Sequence, residues 1–211
     1  ELCANLEKGG TTPSAASICL AREVLDIDLY VLIRPRVGNF VYSDLELEEM
    51  LQDIEFCKEI GCEGVVIGAL DKKGRVHKKQ MQKMMEAADS MGVTFHRAFD
   101  VTSSAKQALE DIVELGCERL LTSGQAPKAT DGVKTLKQLV EQAKNRINIM
   151  VGSGVNASNC LSFYPIGIRQ FHLSGAETIT QDTDDFSFGA NILQTNTEKI
   201  QEVVDALEGL E

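Results

Sequence analysis

The chain has 211 residues, 43% hydrophobic and 25% charged, which is enough apolar material to bury a large core in one domain. Its formal charge of -11 at pH 7 argues against nucleic acid and anionic membrane surfaces as partners, because both need a basic footprint. No apolar run approaches the roughly 20 residues that span a bilayer and no signal peptide is written, so a cytoplasmic location is expected.

In chain order, short apolar runs alternate with amphipathic stretches. Strands are expected at 1–4, 29–34, 64–68, 93–97, 119–122, 147–151 and 168–173, with helices between them at 14–24, 45–60, 78–91, 104–115, 133–144 and 157–163. The stretch 45–60 shows the pattern: Leu45, Met50, Leu51, Ile54, Cys57 and Ile60 recur at helical spacing with charges between them. A phrase also recurs, Glu59-Ile60-Gly61-Cys62-Glu63 and Glu114-Leu115-Gly116-Cys117-Glu118, with looser copies at Ile166-Gly167-Ile168 and Met91-Gly92-Val93. Each copy reads as a helix ended by a left-handed glycine and followed by a short buried strand. Residues 177–196, rich in Thr, Asp and Gln, read as a long loop over the strand ends, either a lid or disordered. A last helix is expected at 197–210, with Ile200, Val203, Val204 and Leu207 turned to one side, toward the barrel or a neighbouring subunit.

Strand starts lie about 21 to 35 residues apart, close to one eighth of the ~250 residues of a (β/α)8 TIM barrel. The fold expected is α/β, a single TIM-barrel domain over 1–211 whose first βα unit lies upstream of Glu1. A doubly wound open sheet is the rival, but Gly9-Gly10 lacks the G-x-G-x-x-G order such a sheet uses for dinucleotides.

A barrel collects its site at the carboxyl ends of its strands, and here those ends are polar. Strand alternation turns Glu1, Cys3, Arg34, His96 and His172 inward, while Phe95 and Phe99 take the outward parity with Arg97. These residues are either solvated strand ends or a site. If a site, His96 is its general acid or base, oriented by Asp100 or Glu1, with His172 as a second catalytic histidine. Arg34, Arg36, Arg97, Ser123 and Ser174 are candidate ligands for an anionic substrate. The turn containing Gly152, Gly154 and Asn156 offers it backbone amides. Arg34 and Arg36 have the alternative of pairing with rim carboxylates. His77 reads as a solvated loop residue.

The cysteines, Cys3, Cys19, Cys57, Cys62, Cys117 and Cys160, have no C-x-x-C spacing and read as reduced thiols. Cys62 and Cys117 start strands and so fall on the face opposite Cys3. Met81, Met84 and Met85 read as core packing.

The runs Glu1-Leu2-Cys3-Ala4-Asn5-Leu6, Gly9-Gly10-Thr11-Thr12-Pro13-Ser14, Ile33-Arg34-Pro35-Arg36, Thr94-Phe95-His96-Arg97-Ala98-Phe99-Asp100 and Leu121-Thr122-Ser123-Gly124 resemble the CutC copper homeostasis proteins, in order over nearly the whole chain. The resemblance implies a TIM barrel, a cytosolic dimer or tetramer, and a role in copper handling. The family's usual glycine pair and aspartate after Arg36 are replaced by Val37-Gly38-Asn39. Two functions stay open beside a third, purely structural one. The first is copper binding or trafficking with Cys3 and the strand-end histidines as ligands. The second is catalysis on a small phosphorylated or carboxylated metabolite. Cu(I) favours converging soft ligands, which the strand ends do not spell out.

Overall fold

The computed structural model describes residues 1–180 and 191–208. Helix α1 (Ala15–Val24) leads to β1 (Tyr30–Leu32). The chain then alternates through α2 (Asp44–Glu59), β2 (Gly64–Ile67), α3 (Lys78–Ala88), β3 (Gly92–Phe95), α4 (Ala105–Glu114), β4 (Arg119–Thr122), α5 (Val133–Ala143), β5 (Asn148–Val151) and β6 (Gln170–Phe171). The six strands form one parallel sheet in sequence order. Leu2 adds a parallel bridge to Val31 at the β1 edge, so the expected strand 1–4 is reduced to one bridging residue, because Ala4 turns back to pair with Thr11. The sheet curls far enough to bring the Glu1 carboxylate, beside the β1 edge, within 3.8 Å of His172 Nδ1, just past β6. The result is an α/β fold with a curled parallel sheet; an eighth βα unit is not found among the described residues.

Helices cover the outer face of the sheet. Phe95, Phe99, Met81, Met84, Leu109 and Ile112 are fully buried in the single core there, which bears out the packing role expected for the methionines. Helix α2 begins with a capping box. Ser43 Oγ accepts from the Glu46 amide at 3.3 Å, and the Glu46 carboxylate accepts from the Ser43 amide at 2.7 Å. Gly61, Gly116 and Gly167 have φ of 79°, 84° and 94°, the left-handed form expected from the repeated phrase.

The copy at Met91-Gly92 departs from the pattern. There the left-handed residue is Asp89 (φ 51°), and Gly92 opens β3. Glycine is needed at 92 for space, since a Cβ there would stand 2.2 Å from the Tyr30 hydroxyl.

Other expectations shift at element ends. The helix expected at 157–163 is a 3-10 segment, Cys160–Ile166, with Pro165 inside it. His77 is the N-cap of α3, its Nδ1 accepting from the Gln80 amide, rather than a solvated loop residue. The expected loop 177–196 contains an antiparallel pair, β7 (Ala176–Thr180) with β8 (Asn191–Thr195). Its β-branched Thr178, Ile179 and Thr195 suit a strand better than a loop. Residues 181–190 of that segment lie outside the described ones. Helix α6 (Thr197–Glu208) follows. Among the described residues, no helix is long and apolar enough to cross a membrane.

Candidate functional site

Each strand of the curled sheet ends at the same mouth, and the side chains it delivers there enclose a cavity of about 310 Å³. Of the residues expected at a site, Glu1, Cys3, Arg34, His96, Arg97, Gly154, His172 and Ser174 line this cavity, joined by Phe40 and Leu121. Arg36, Asp100, Ser123, Gly152 and Asn156 do not.

Arg34 follows β1, is 5% exposed, and is held at three points. Nη1 donates to the Gly9 and Gly10 carbonyls at 3.2 and 2.8 Å, and Nη2 to the Gly38 carbonyl at 2.8 Å. The guanidinium also lies 4.9 Å from the centroid of Phe40. It also interacts with the buried Tyr42 hydroxyl, which lies outside the cavity lining.

His96 follows β3 and is 5% exposed, its ring 4.9 Å from that of Phe40. Nδ1 accepts from the Ala98 amide at 3.1 Å, so in the neutral ring the proton sits on Nε2. Nε2 is buried without a partner among the described residues. Burial, and then the Arg34 charge, push the imidazole down to about 3, so the ring is neutral at physiological pH. Gly68 lets the ring sit there, because a Cβ at 68 would stand 2.6 Å from His96 Cε1 and Nδ1.

One buried donor, His96 Nε2, therefore belongs to a lining residue and has no acceptor among the described residues. Most buried polar groups are paired, so this nitrogen calls for an acceptor.

Just past β6, burial lowers the His172 imidazole while the nearby Glu1 carboxylate raises it, and burial wins. Burial and then Glu1 push the Cys3 thiol up, keeping it protonated. Among the described residues, no three His, Cys, Asp or Glu side chains come together to hold a metal ion. His96 is a poor ligand in particular, since Nδ1 is engaged and Nε2 carries the proton.

The remaining candidates are spent elsewhere. Asp100 does not orient His96. Its carboxylate accepts from Thr122 Oγ1, from the Ser123 amide and hydroxyl, from the Gln125 amide and from Arg97 Nε. Ser123 is fully buried and bonded to Asp100, Arg97 and the Ala126 carbonyl. Arg36 is a loop staple, paired with Glu46 and donating to the Asn39 and Val41 carbonyls. Asn156 Oδ1 caps its own turn through Ser158. Arg97, given the outward parity in sequence, lines the cavity because β3 stops at Phe95 and a 3-10 turn, Arg97–Val101, resets the direction.

Sequence reasoning missed one further grouping. Cys57 and Cys62 meet at the end of the curled sheet opposite the cavity, where the Cys62 amide donates to the Cys57 carbonyl at 2.9 Å across the left-handed Gly61. The helix-end motif that pairs these positions was legible in the repeated phrase.

The CutC family model matches residues 1–177. A CutC family protein of Xanthomonas axonopodis pv. citri is 44% identical over 214 residues, covering 99% of this chain and 89% of its own length. Among solved structures, a CutC from Streptococcus agalactiae, provisionally named a copper homeostasis protein, aligns with a TM-score of 0.78 and 39% identity, covering 81% of this chain and 85% of its own. A structure titled "QR15, an Aldolase" aligns with a TM-score of 0.61 at 16% identity, covering 74% and 73%, a likeness of fold alone. With the family's sequence and its fold both present over most of its length, the chain belongs to the CutC family.

Proposed function

We propose that the strand-end cavity binds a small organic ligand rich in oxygen acceptors, a carboxylated or phosphorylated metabolite. One observation carries this: His96 Nε2, on a lining residue, is a buried donor with no acceptor among the described residues, beside the Arg34 cation. A carbonyl or oxyanion oxygen would satisfy it, and leaving such a donor unpaired costs about 1–3 kcal/mol. In a reaction, a neutral His96 acts as a hydrogen-bond donor to developing negative charge rather than as a base. Phosphate, sulfate or acetate at 10 mM should raise the melting temperature of the wild-type chain, and His96→Phe, which keeps a ring but removes the donor, should abolish the rise. Equal melting curves with and without each anion would end this reading.

The family name supports a second reading, that copper is a cargo, and one observation favours it: Cys3 lines the same cavity as His172 and Glu1. Its difficulty is the donor set, a protonated thiol and a His96 whose outward nitrogen bears hydrogen. Competition of the reduced protein against a chromogenic Cu(I) chelator decides it. Stoichiometric binding that disappears in Cys3→Ala supports the cargo reading, and weak binding unaffected by that change rejects it.

A further inference from the structure

Arg97 stands on the same cavity as Arg34 but is held in a different way. The 3-10 turn sets Arg97 and Asp100 three residues apart on one face, where Arg97 Nε donates to Asp100 Oδ2 at 2.8 Å and Nη2 to Ser123 Oγ at 3.1 Å. Asp100 is itself fixed, its side chain 7% exposed and its oxygens accepting from Thr122 Oγ1 at 2.5 Å, the Ser123 amide at 3.1 Å and the Gln125 amide at 3.1 Å. The guanidinium is thus clamped along one edge. Its Nη1 has no partner among the described residues, and the side chain is 42% exposed. The neighbouring lining residues Ser153, Gly154 and Val155 have backbone amides that donate to nothing among the described residues. Of the charged side chains on the lining, two are arginines and one, Glu1, is a carboxylate lying against His172, so the balance favours an anion.

The two walls differ in what they offer. The Arg34 and His96 wall presents one single, buried N–H group, His96 Nε2, suited to one oxygen atom. Arg97 presents the open end of a fork, the geometry that takes a carboxylate or phosphate through two oxygens. We infer that Arg97 is a second anchor at the mouth and that the cavity takes a two-ended ligand. Such a ligand carries an oxyanion held by Arg97, joined through a short linker to a hydroxyl or carbonyl oxygen held by His96. The cavity volume sits at the lower end of the range for small-molecule sites, which limits the linker to a few atoms.

This rests on the acceptor-ligand reading above, and the two fail separately under titration calorimetry. The probes are glycerol 3-phosphate against inorganic phosphate and against glycerol, and lactate against acetate. Wild type should bind at least one two-ended probe ten-fold or more tighter than its one-ended counterpart. Arg97→Gln should erase that advantage, Arg97→Lys should restore part of it, and Ser123→Ala, which releases one side of the clamp, should narrow the ratio without shifting the binding of glycerol. Undiminished preference in Arg97→Gln overturns the anchor but leaves the acceptor reading standing. Wild type that binds phosphate or acetate with no gain for either two-ended probe overturns the two-ended ligand. Wild type that binds none of the probes overturns both.

Discussion

In the unfolded chain the His96 imidazole titrates near 6.5, whereas in the fold burial and the Arg34 charge push it down to about 3. Between those values the unfolded state binds a proton that the native state refuses, so stability rises with pH across the window and falls as pH drops through it. The slope for one such group is about 1.4 kcal/mol per pH unit well below 6.5. His172, lowered in the same direction, adds to it. Urea unfolding of wild type and His96→Gln between pH 6.5 and 5 should therefore show a steeper loss of stability in wild type, by about 1.6 kcal/mol over the interval. Parallel curves would mean that His96 is hydrated in solution and not the buried donor that the cavity argument requires. His96, Arg34, Glu1 and His172 were legible in the sequence because strand alternation assigns each an inward direction. Arg97 and Asp100 were not, since alternation has no meaning past Phe95, where the backbone leaves the strand and each partner is chosen by a turn.

At the scale of elements, the repeated phrase carried more of the fold than any single residue. It works because a helix that ends in a left-handed residue must reverse at once into the next strand, and glycine adopts that form without a Cβ penalty. Gly61 and Gly116 test this cleanly. Nothing lies within 4 Å of a Cβ built at either, so an alanine there meets backbone strain alone. Gly61→Ala and Gly116→Ala should each lower stability by about 1 kcal/mol, and the two losses should add, the sites belonging to separate helix ends. Gly92→Ala should cost more than either, because its Cβ enters the space of the Tyr30 hydroxyl and of the Glu118 carboxylate that the hydroxyl bonds. Denaturant midpoints that rank Gly92→Ala as the mildest of the three would refute this account. The sequence alone could not separate the two uses of glycine: Gly92 sits in the same phrase, but what requires it is an aromatic ring from another strand.

The whole molecule divides by how its parts are tied down. Strands β2, β3 and β4 have parallel neighbours on both sides and buried residues on both faces. The β7–β8 pair is a separate two-stranded sheet, and α6 contributes Val203 as its one fully buried side chain among the described residues. Isolated two-stranded pairs are marginal on their own, so this C-terminal unit should open without unfolding the six-stranded sheet. Amides of Ala176–Thr180, Asn191–Thr195 and Thr197–Glu208 should exchange with deuterium under native conditions at least ten-fold faster than those of Gly64–Ile67 and Arg119–Thr122. The unit also bears on the cavity, since Ile200 packs against Gly175 next to the lining residue Ser174. If the cavity takes a ligand that engages this wall, saturating ligand should slow exchange across 173–176 and in the first turns of α6 while leaving β2–β4 unchanged. Uniform exchange across the chain, with or without ligand, would show instead that the six-stranded sheet and the C-terminal unit open as one cooperative body.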